Sequence, residues 1–384
     1  MNYKRLFKLP DDLNQSIFLF GPRGTGKTSW LKQYFESALF FDLLEDDTYT
    51  ELLARPTRLW ELIPNDYNGW IIIDEIQKIP ALLNEVHRLI EHRGCLFILT
   101  GSSARSLRRQ GVNLLAGRAL VYHMHPMTAE ELKVNYDFFA RLKYGNLPAV
   151  VDHNMPEKYL ASYVATYLKE EVLQEGLVRN LTLFSRFMEV ASFSQGETVN
   201  YTEIAKDVGS NRHTITNFFD ILDDLLIASR IPVFSKRAKR QVISQPKFYF
   251  FDTGVFRSIR PKGPLDSPAE IDGAALETLF LQEAKAINDY YELGYEFYYW
   301  RTRTKLEVDF ILYGERGLLA FEIKRKEKLS SKDFKGLIKF CEDYPVAKPF
   351  MLYGGEKEYT DQNIRVIPLK NALESLQSIL NVSI

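Results

Sequence analysis

Gly21-Pro-Arg-Gly-Thr-Gly-Lys-Thr28 decides the fold of the first third of this 384-residue chain. The octet satisfies Gly-x-x-x-x-Gly-Lys-Thr in full, at Gly21, Gly26, Lys27 and Thr28. Ser16-Ile-Phe-Leu-Phe20 before it reads as a buried strand, and Ser29-Trp-Leu-Lys-Gln-Tyr-Phe35 after it opens an amphipathic helix. Glycines let a backbone fold around a phosphate chain, so that N–H groups and the helix N-terminus face anionic oxygens. Gly21, Pro22, Arg23, Gly24, Thr25 and Gly26 would form that cradle. Lys27 would reach the β- and γ-phosphates of ATP, and the Thr28 hydroxyl would ligate Mg²⁺.

Working outward, Trp70-Ile-Ile-Ile-Asp-Glu75 is an apolar run ending in two acids. Buried parallel strands look like this, and their C-terminal ends point at the ligand crevice. Asp74 is expected to hold Mg²⁺ through water, and Glu75 to act as general base on the attacking water. Leu96-Phe-Ile-Leu-Thr100 is a third buried strand, and Thr100, Ser102 and Ser103 are candidate sensors of the γ-phosphate. Leu114-Leu-Ala-Gly-Arg118 follows, and Arg118 reads either as an arginine finger for a neighbouring subunit or as the partner of a carboxylate.

Composition narrows the rest. With 46% apolar and 26% charged residues, the chain reads as soluble and globular, long enough for two or three domains. No run is apolar enough to span a bilayer, and no secretory leader is seen, so no membrane partner is expected. Two cysteines exclude a disulfide scaffold or zinc cluster and suit a reducing cytoplasm. The formal charge of −1 leaves any nucleic-acid surface to be local. The six histidines show no metal-ligand spacing.

After about Pro126, helical periodicity replaces buried strands, over Glu157 to Glu175 and Leu181 to Phe193. Asn200 to Gly209 reads as a short helix closed by glycine, with Ser210 as the cap of a longer helix from Asn211 to about Leu226. Two helices joined through a glycine turn, then strands flanking Ser235-Lys-Arg-Ala-Lys-Arg240, read as a winged helix with a basic wing. Asn211, Arg212, His213, Thr214 and Asn217 would meet DNA, although Asp220, Asp223 and Asp224 make the later turns acidic.

Toward the C-terminus, Pro268 to Asp289 reads as a helix carrying Glu277 and Glu283. Leu306 to Tyr313 and Leu318 to Lys324 read as a hairpin around Gly314-Glu-Arg-Gly317. Symmetric pairing puts Asp309 across from Glu322 and Glu307 across from Lys324, all on one face. Two facing carboxylates with a lysine beside them are an oxygen-ligand site for Mg²⁺. A solvated face with cross-strand ion pairs is the alternative. Arg301, Arg303, Lys305, Lys324, Arg325, Lys326 and Lys328 cluster nearby, a footprint for a phosphate backbone.

GPRGTGKT, IIIDEIQKIP, LTGSSARSL and LLAGR, in this order, resemble the prokaryotic AAA-type ATPases in which an archaeal-ATPase-like domain precedes a winged helix and a C-terminal domain of unknown function. That last domain is similar to the PD-(D/E)xK restriction-endonuclease-like fold. The resemblance implies an α/β chain divided as 1–130, a P-loop AAA-type ATPase core; 131–195, a helical lid or linker; 196–250, a winged helix; and 251–384, a nuclease-like α/β domain. It implies residues 21–28, Asp74 and Glu75 for ATP and Mg²⁺, and Glu277, Asp309, Glu322 and Lys324 for a nuclease site, with Asp309 and Glu322 on the metal. Val308 stands where proline is frequent in that superfamily. The expected function is an ATP-hydrolysing protein acting on DNA through a metal-dependent nuclease-like domain, and a homo-oligomer if Arg118 serves a neighbour. An ATPase switch that binds nucleic acid without cutting, and a docking or remodelling ATPase with no DNA role, are the alternatives.

Overall fold

A computed structural model of the chain describes residues 3–102, 115–168, 172, 180–235, 245–264 and 266–381. The chain divides into two compact units, Phe7–Pro126 with Asp224–Ile227, and Met1–Leu6 with Met127–Asp223 and Ala228–Ile384.

The first unit is built on five strands: β1 (Ser16–Phe20), β2 (Leu39–Asp42), β3 (Trp70–Asp74), β4 (Leu96–Gly101) and β5 (Ala119–His123). They lie in the order β2-β3-β4-β1-β5, and every ladder is parallel. Ile71, Ile72 and Ile73 are fully buried, as are Ile17, Phe18 and Leu19, so both faces of these strands are covered and no polar alternation is needed. Each such side chain contributes roughly 1.5–3 kcal/mol by leaving water. The order inserts β4 between β1 and β3. Since all five strands run the same way, Phe20, Asp74 and Thr100 come out at one edge of the sheet. Helix α1 (Lys27–Tyr34) follows the glycine-rich loop, and α2 (Leu82–Arg93) follows β3.

In the second unit, α3 (Leu181–Ser192), α4 (Tyr201–Val208) and α5 (Arg212–Asp224) precede an antiparallel ribbon of β6 (Ala228–Ile231) and β7 (Lys247–Phe250). Asn200 caps α4 by accepting from the Glu203 N–H, and Gly209 ends it in the left-handed region. The cap of α5 is Asn211, not Ser210 as the sequence suggests. Ser210 belongs to the turn that closes α4, where its N–H donates to the Ala205 carbonyl 2.8 Å away. The Asn211 side chain accepts the Thr214 N–H at 2.9 Å and so caps the helix. Residues 236–240 of the basic segment lie outside the described residues.

The long helix α6 (Pro268–Tyr290) leads into a six-stranded sheet of β8 (Glu296–Arg301), β9 (Glu307–Gly314), β10 (Gly317–Lys324), β11 (Lys348–Tyr353), β12 (Tyr359–Asp361) and β13 (Ile364–Pro368). Its order is β12-β13-β11-β10-β9-β8, with β10, β11 and β13 parallel and the other pairs antiparallel. Leu276, Leu279 and Phe280 of α6 share one core with Phe310, Leu312, Leu319 and Phe321. Met127, Leu132, Ile231 and Tyr249 belong to that same core, so the helices after Pro126 and the β6–β7 ribbon pack with the sheet. A second cluster joins Val308, Ile311, Leu318 and Ala320 to Leu337 and Phe340 of α7 (Lys335–Asp343).

The β9–β10 hairpin turns at Glu315-Arg316, with Gly314 opposite Gly317 and Phe310 opposite Phe321. Beyond that point it departs from simple alternation. Tyr298 pairs with Ile311 but Trp300 with Val308, so Asp309 and Phe310 share one opposite residue in a β-bulge. Among the described residues, no helix is long and apolar enough to cross a membrane.

Candidate functional sites

In the first unit the chemistry gathers at the C-terminal edge of β1, β3 and β4. Gly26 caps α1 at φ 92° with no side-chain cap, so the first N–H groups of the helix face the loop. Thr25 ties the loop with its hydroxyl on the Pro22 carbonyl at 2.9 Å, while Arg23 and Gly24 are half-buried. A Cβ at Gly21 would collide with the backbone carbonyl of Met124, which explains glycine there. The Lys27 ammonium is buried and lies over the loop, 2.7 Å from the Gly21 carbonyl and 3.3 Å from that of Pro22.

Asp74, 1% exposed, joins three elements. Its Oδ2 accepts the Thr28 hydroxyl of α1 at 2.6 Å, and its Oδ1 accepts the Thr100 hydroxyl of β4. Thr100 in turn accepts the Glu75 N–H at 3.1 Å. Glu75 stands in the left-handed region at φ 60°, a conformation that costs of order 1–3 kcal/mol and turns its side chain out of the strand's line. Its carboxylate accepts from the Gln77 amide, which also lies 3.4 Å from the Ser102 hydroxyl.

Of the three candidate sensors, Thr100 is therefore the one joined to Asp74, Ser102 reaches Glu75 only through Gln77, and Ser103 lies outside the described residues. Thr28 and Asp74 form an all-oxygen pair at a helix N-terminus, a donor set that fits Mg²⁺. Arg118 sits apart from this group within the chain, its guanidinium paired with Glu91 of α2. That pairing holds Glu91 below the usual carboxylate range.

The second unit brings Glu277, Asp309, Glu322 and Lys324 together, and adds two residues to them. Lys247, which opens β7, has a side chain only 3% exposed. Its ammonium lies 2.5 Å from Glu307, 3.4 Å from Asp309 and 3.8 Å from Glu277. Tyr249, two residues on, donates its hydroxyl to Glu277 at 2.7 Å. Glu307, expected across from Lys324, instead bonds Lys247 and faces Arg301 at 3.5 Å. Lys324 pairs with Glu322 of its own strand at 2.5 Å. The physical reason is the bulge at Asp309, which breaks the alternation on which the one-face arrangement rested. Past Phe321 the Ile323 N–H donates to the Asp309 side chain at 2.8 Å.

These carboxyls are not the solvated face of an ordinary hairpin, since Asp309 and Glu322 are 6% and 7% exposed. Burial, and next the charge of Asp309, push Glu277 up to about 7 and Glu322 up to about 8. Burial opposes the Lys247 charge, but Tyr249, Glu277, Asp309 and Glu307 outweigh it and hold the ammonium well above its ordinary value. As the side chains stand they do not fit a divalent ion. One Asp309 oxygen faces Lys247, the other takes a backbone N–H, and one Glu322 oxygen faces Lys324. Among the described residues, no group of three or more His, Cys, Asp or Glu side chains is arranged to hold a metal.

Lys247 and Gln77 escape a reading of the sequence. The signal for Lys247 is its place in Lys247-Phe-Tyr-Phe250, where all four residues are buried, so a lysine that looks like a strand's solvated first residue needs internal partners. Gln77 had only its spacing from Glu75. Of the basic cluster, Arg325 pairs with Asp272 and Lys326 with Asp333, while Arg303, Lys305 and Lys328 are exposed. On α5, Asn211, Arg212, His213 and Asn217 are exposed and Thr214 is half-buried.

Residues 13–133 match the family model of the AAA domain. Motif, strand order and family match agree, and this segment is a P-loop domain of AAA type. Residues 135–266 and 272–372 match two families each described as a domain of unknown function, DUF8612 and DUF4143. An uncharacterized protein of Mycobacterium tuberculosis is 26% identical over 354 residues, covering 89% of this chain and 77% of its own. An uncharacterized protein of Methanocaldococcus jannaschii is 23% identical over 95% of this chain and 86% of its own. Among solved structures, the Aeropyrum pernix Orc1 protein in complex with DNA overlaps 64% of this chain and 86% of its own, at 15% identity and a TM-score of 0.23. An overlap this slight carries no weight for fold or function.

Proposed function

We propose that this protein binds and hydrolyses ATP at the edge of β1, β3 and β4, and that its second unit engages DNA without cutting it. The observation that carries the ATPase reading is Asp74, bridged to Thr28 at the helix N-terminus and to Thr100 beside Glu75. The loop N–H groups and Lys27 bind the phosphates, with the Lys27 ammonium moving from the Gly21 and Pro22 carbonyls to the β- and γ-oxygens. Thr28 and Asp74 are the residues to hold Mg²⁺, which, when bound, neutralises charge on the β- and γ-phosphates. Glu75 takes a proton from the water that attacks the γ-phosphorus, and Gln77 orients its carboxylate for that task. Thr100, bonded to both Asp74 and the Glu75 N–H, keeps metal-holding and base residues in register.

For the second unit, a metal-dependent nuclease centre at Glu277, Asp309, Glu322 and Lys324 competes with a site that binds without cutting. The Lys247 ammonium standing among the carboxylates favours the latter. DNA phosphates would be met by Arg303, Lys305 and Lys328 and by the exposed start of α5. Incubating the protein with labelled DNA in Mg²⁺ or Mn²⁺, with and without ATP, tests this reading. Salt-sensitive retention of intact DNA is expected, with a log–log salt slope that flattens by about 0.9 for each phosphate contact removed. Metal-dependent cleavage lost in Asp309→Asn would restore the nuclease. Absence of both binding and cleavage would leave a docking ATPase.

A further inference from the structure

We infer that Lys247 is the resident cation of the acid site in the second unit, holding Glu277, Glu307 and Asp309 together and shutting out a divalent ion while it stays there. The inference does not depend on ATP hydrolysis or on DNA binding. It stands on where the ammonium lies and on how firmly it is brought there.

The ammonium lies within 4 Å of three separate carboxyls, 2.5 Å from Glu307, 3.4 Å from Asp309 and 3.8 Å from Glu277. These groups come from a helix and a strand far apart in sequence, and Lys247 comes from a third element, β7. A surface lysine would have to give up side-chain freedom to reach such a position. The Lys247 stem starts from a fixed point, because its backbone is held opposite Ile231 in the β6–β7 ladder and bridged to Thr198. Its ammonium stands over the Tyr299 ring, 5.8 Å from the centroid, and the Tyr299 hydroxyl is bonded to the Gln245 carbonyl two residues upstream. Tyr249 on the same strand fixes Glu277.

A divalent ion demands several oxygens converging at one point, and Mg²⁺ demands them in near-octahedral array. Here an ammonium stands at that convergence. Asp309 is committed at both oxygens, to Lys247 and to the Ile323 N–H. Glu322 is half committed to Lys324, leaving one buried oxygen without a partner among the described residues. An ion entering this group would meet a positive charge a few ångströms away in a poorly screened interior and be repelled by it. The acids are thus organised by a lysine from the neighbouring ribbon rather than by a metal.

The test is Mn²⁺ binding to the nucleotide-free, full-length protein, followed by electron paramagnetic resonance and calorimetry. The parental protein and Asp309→Asn should give the same isotherm. Lys247→Met, which keeps the stem and removes the charge, should gain a site that disappears when Asp309→Asn is added, with affinity at least about two orders of magnitude above the parental level. Lys247→Met should also melt at lower temperature than the parent and recover part of the loss in Mn²⁺. An Asp309-dependent Mn²⁺ site in the parental protein, as tight as in Lys247→Met, would overturn the inference. If Lys247→Met does not fold, the parental and Asp309→Asn isotherms decide the matter alone: identical curves support the resident lysine, and a difference refutes it.

Discussion

Asp74 and its two threonine partners are where single residues weigh most in the AAA unit. Thr28, Thr100 and Asp74 come from three elements, and each hydroxyl fixes one carboxylate oxygen. Thr100→Val preserves shape but frees one oxygen and leaves the Glu75 N–H without its acceptor. Such a change should lower kcat by roughly 10–100-fold with little change in KM for ATP, in steady-state phosphate-release assays. Gly21→Ala acts on packing instead, because its Cβ meets the Met124 carbonyl, a backbone atom that cannot swing away. It should cost about 1–3 kcal/mol, read as a lower midpoint in thermal denaturation. At this scale Lys27, Thr28, Asp74 and Glu75 are legible in the sequence, because the motif specifies residue types at fixed spacing. The choice of Thr100 over Ser102 is not, because it depends on β4 lying beside β3. Lys247 is invisible for the same reason, since its partners are contributed by α6 and β9.

Secondary-structure elements set the stability of the second unit and its response to pH. Asn211→Ala removes the cap of α5 and should cost about 1 kcal/mol in urea denaturation, whereas Ser210→Ala should change little, since only its backbone is used. Two buried carboxyls tie α6 and the β7–helix junction to the segment after Pro126. Glu283 accepts from the Ala129 N–H and the Asn146 side chain, and Asp252 from the Asn146, Gly254 and Val255 N–H groups. Burial pushes Glu283 up to about 8 and Asp252 up to about 6, although those N–H donors act in the opposite direction. Both values exceed the ordinary 4.5 and 3.8, so the folded state holds these protons more tightly than the unfolded chain. The resulting stabilisation is complete below about pH 4 and is lost as pH rises through about 6 and then about 8. Melting temperature of the second unit should therefore fall from pH 5 to pH 9, and Glu283→Gln should flatten the upper part of the curve. The helix and hairpin positions were legible from periodicity and from the glycine-flanked turn. The bulge at Asp309 was not, because it is a property of the β8–β9 register rather than of β9 alone.

The chain as a whole was legible as an N-terminal α/β unit followed by a helical middle and a C-terminal α/β segment, because apolar runs give way to three- and four-residue spacing after Pro126 and strands return after the long helix. That Met127, Ile231 and Tyr249 share one core with Phe310 and Phe321 could not be read from local patterns, since such contacts join residues far apart in sequence. Arg118 belongs to this scale, because within one chain it pairs with Glu91 and any role as a finger requires a second copy. If it serves a neighbour, mixing Arg118→Ala with Glu75→Gln protomers should give hydrolysis that departs from the average of the two, and Arg118→Ala alone should lose roughly 10³-fold or more in rate. Full activity of a strictly monomeric protein would remove the finger and leave the Glu91 pair as its purpose. The central claim, hydrolysis of ATP by the Lys27, Asp74 and Glu75 group, is tested most directly by measuring ATP retention and phosphate release on the same preparations of the parent, Lys27→Ala and Glu75→Gln. The parent should release phosphate in Mg²⁺, Lys27→Ala should neither retain nor hydrolyse nucleotide, and Glu75→Gln should retain ATP while release falls by about 10²-fold or more. Phosphate release by Glu75→Gln at the parental rate would contradict the account.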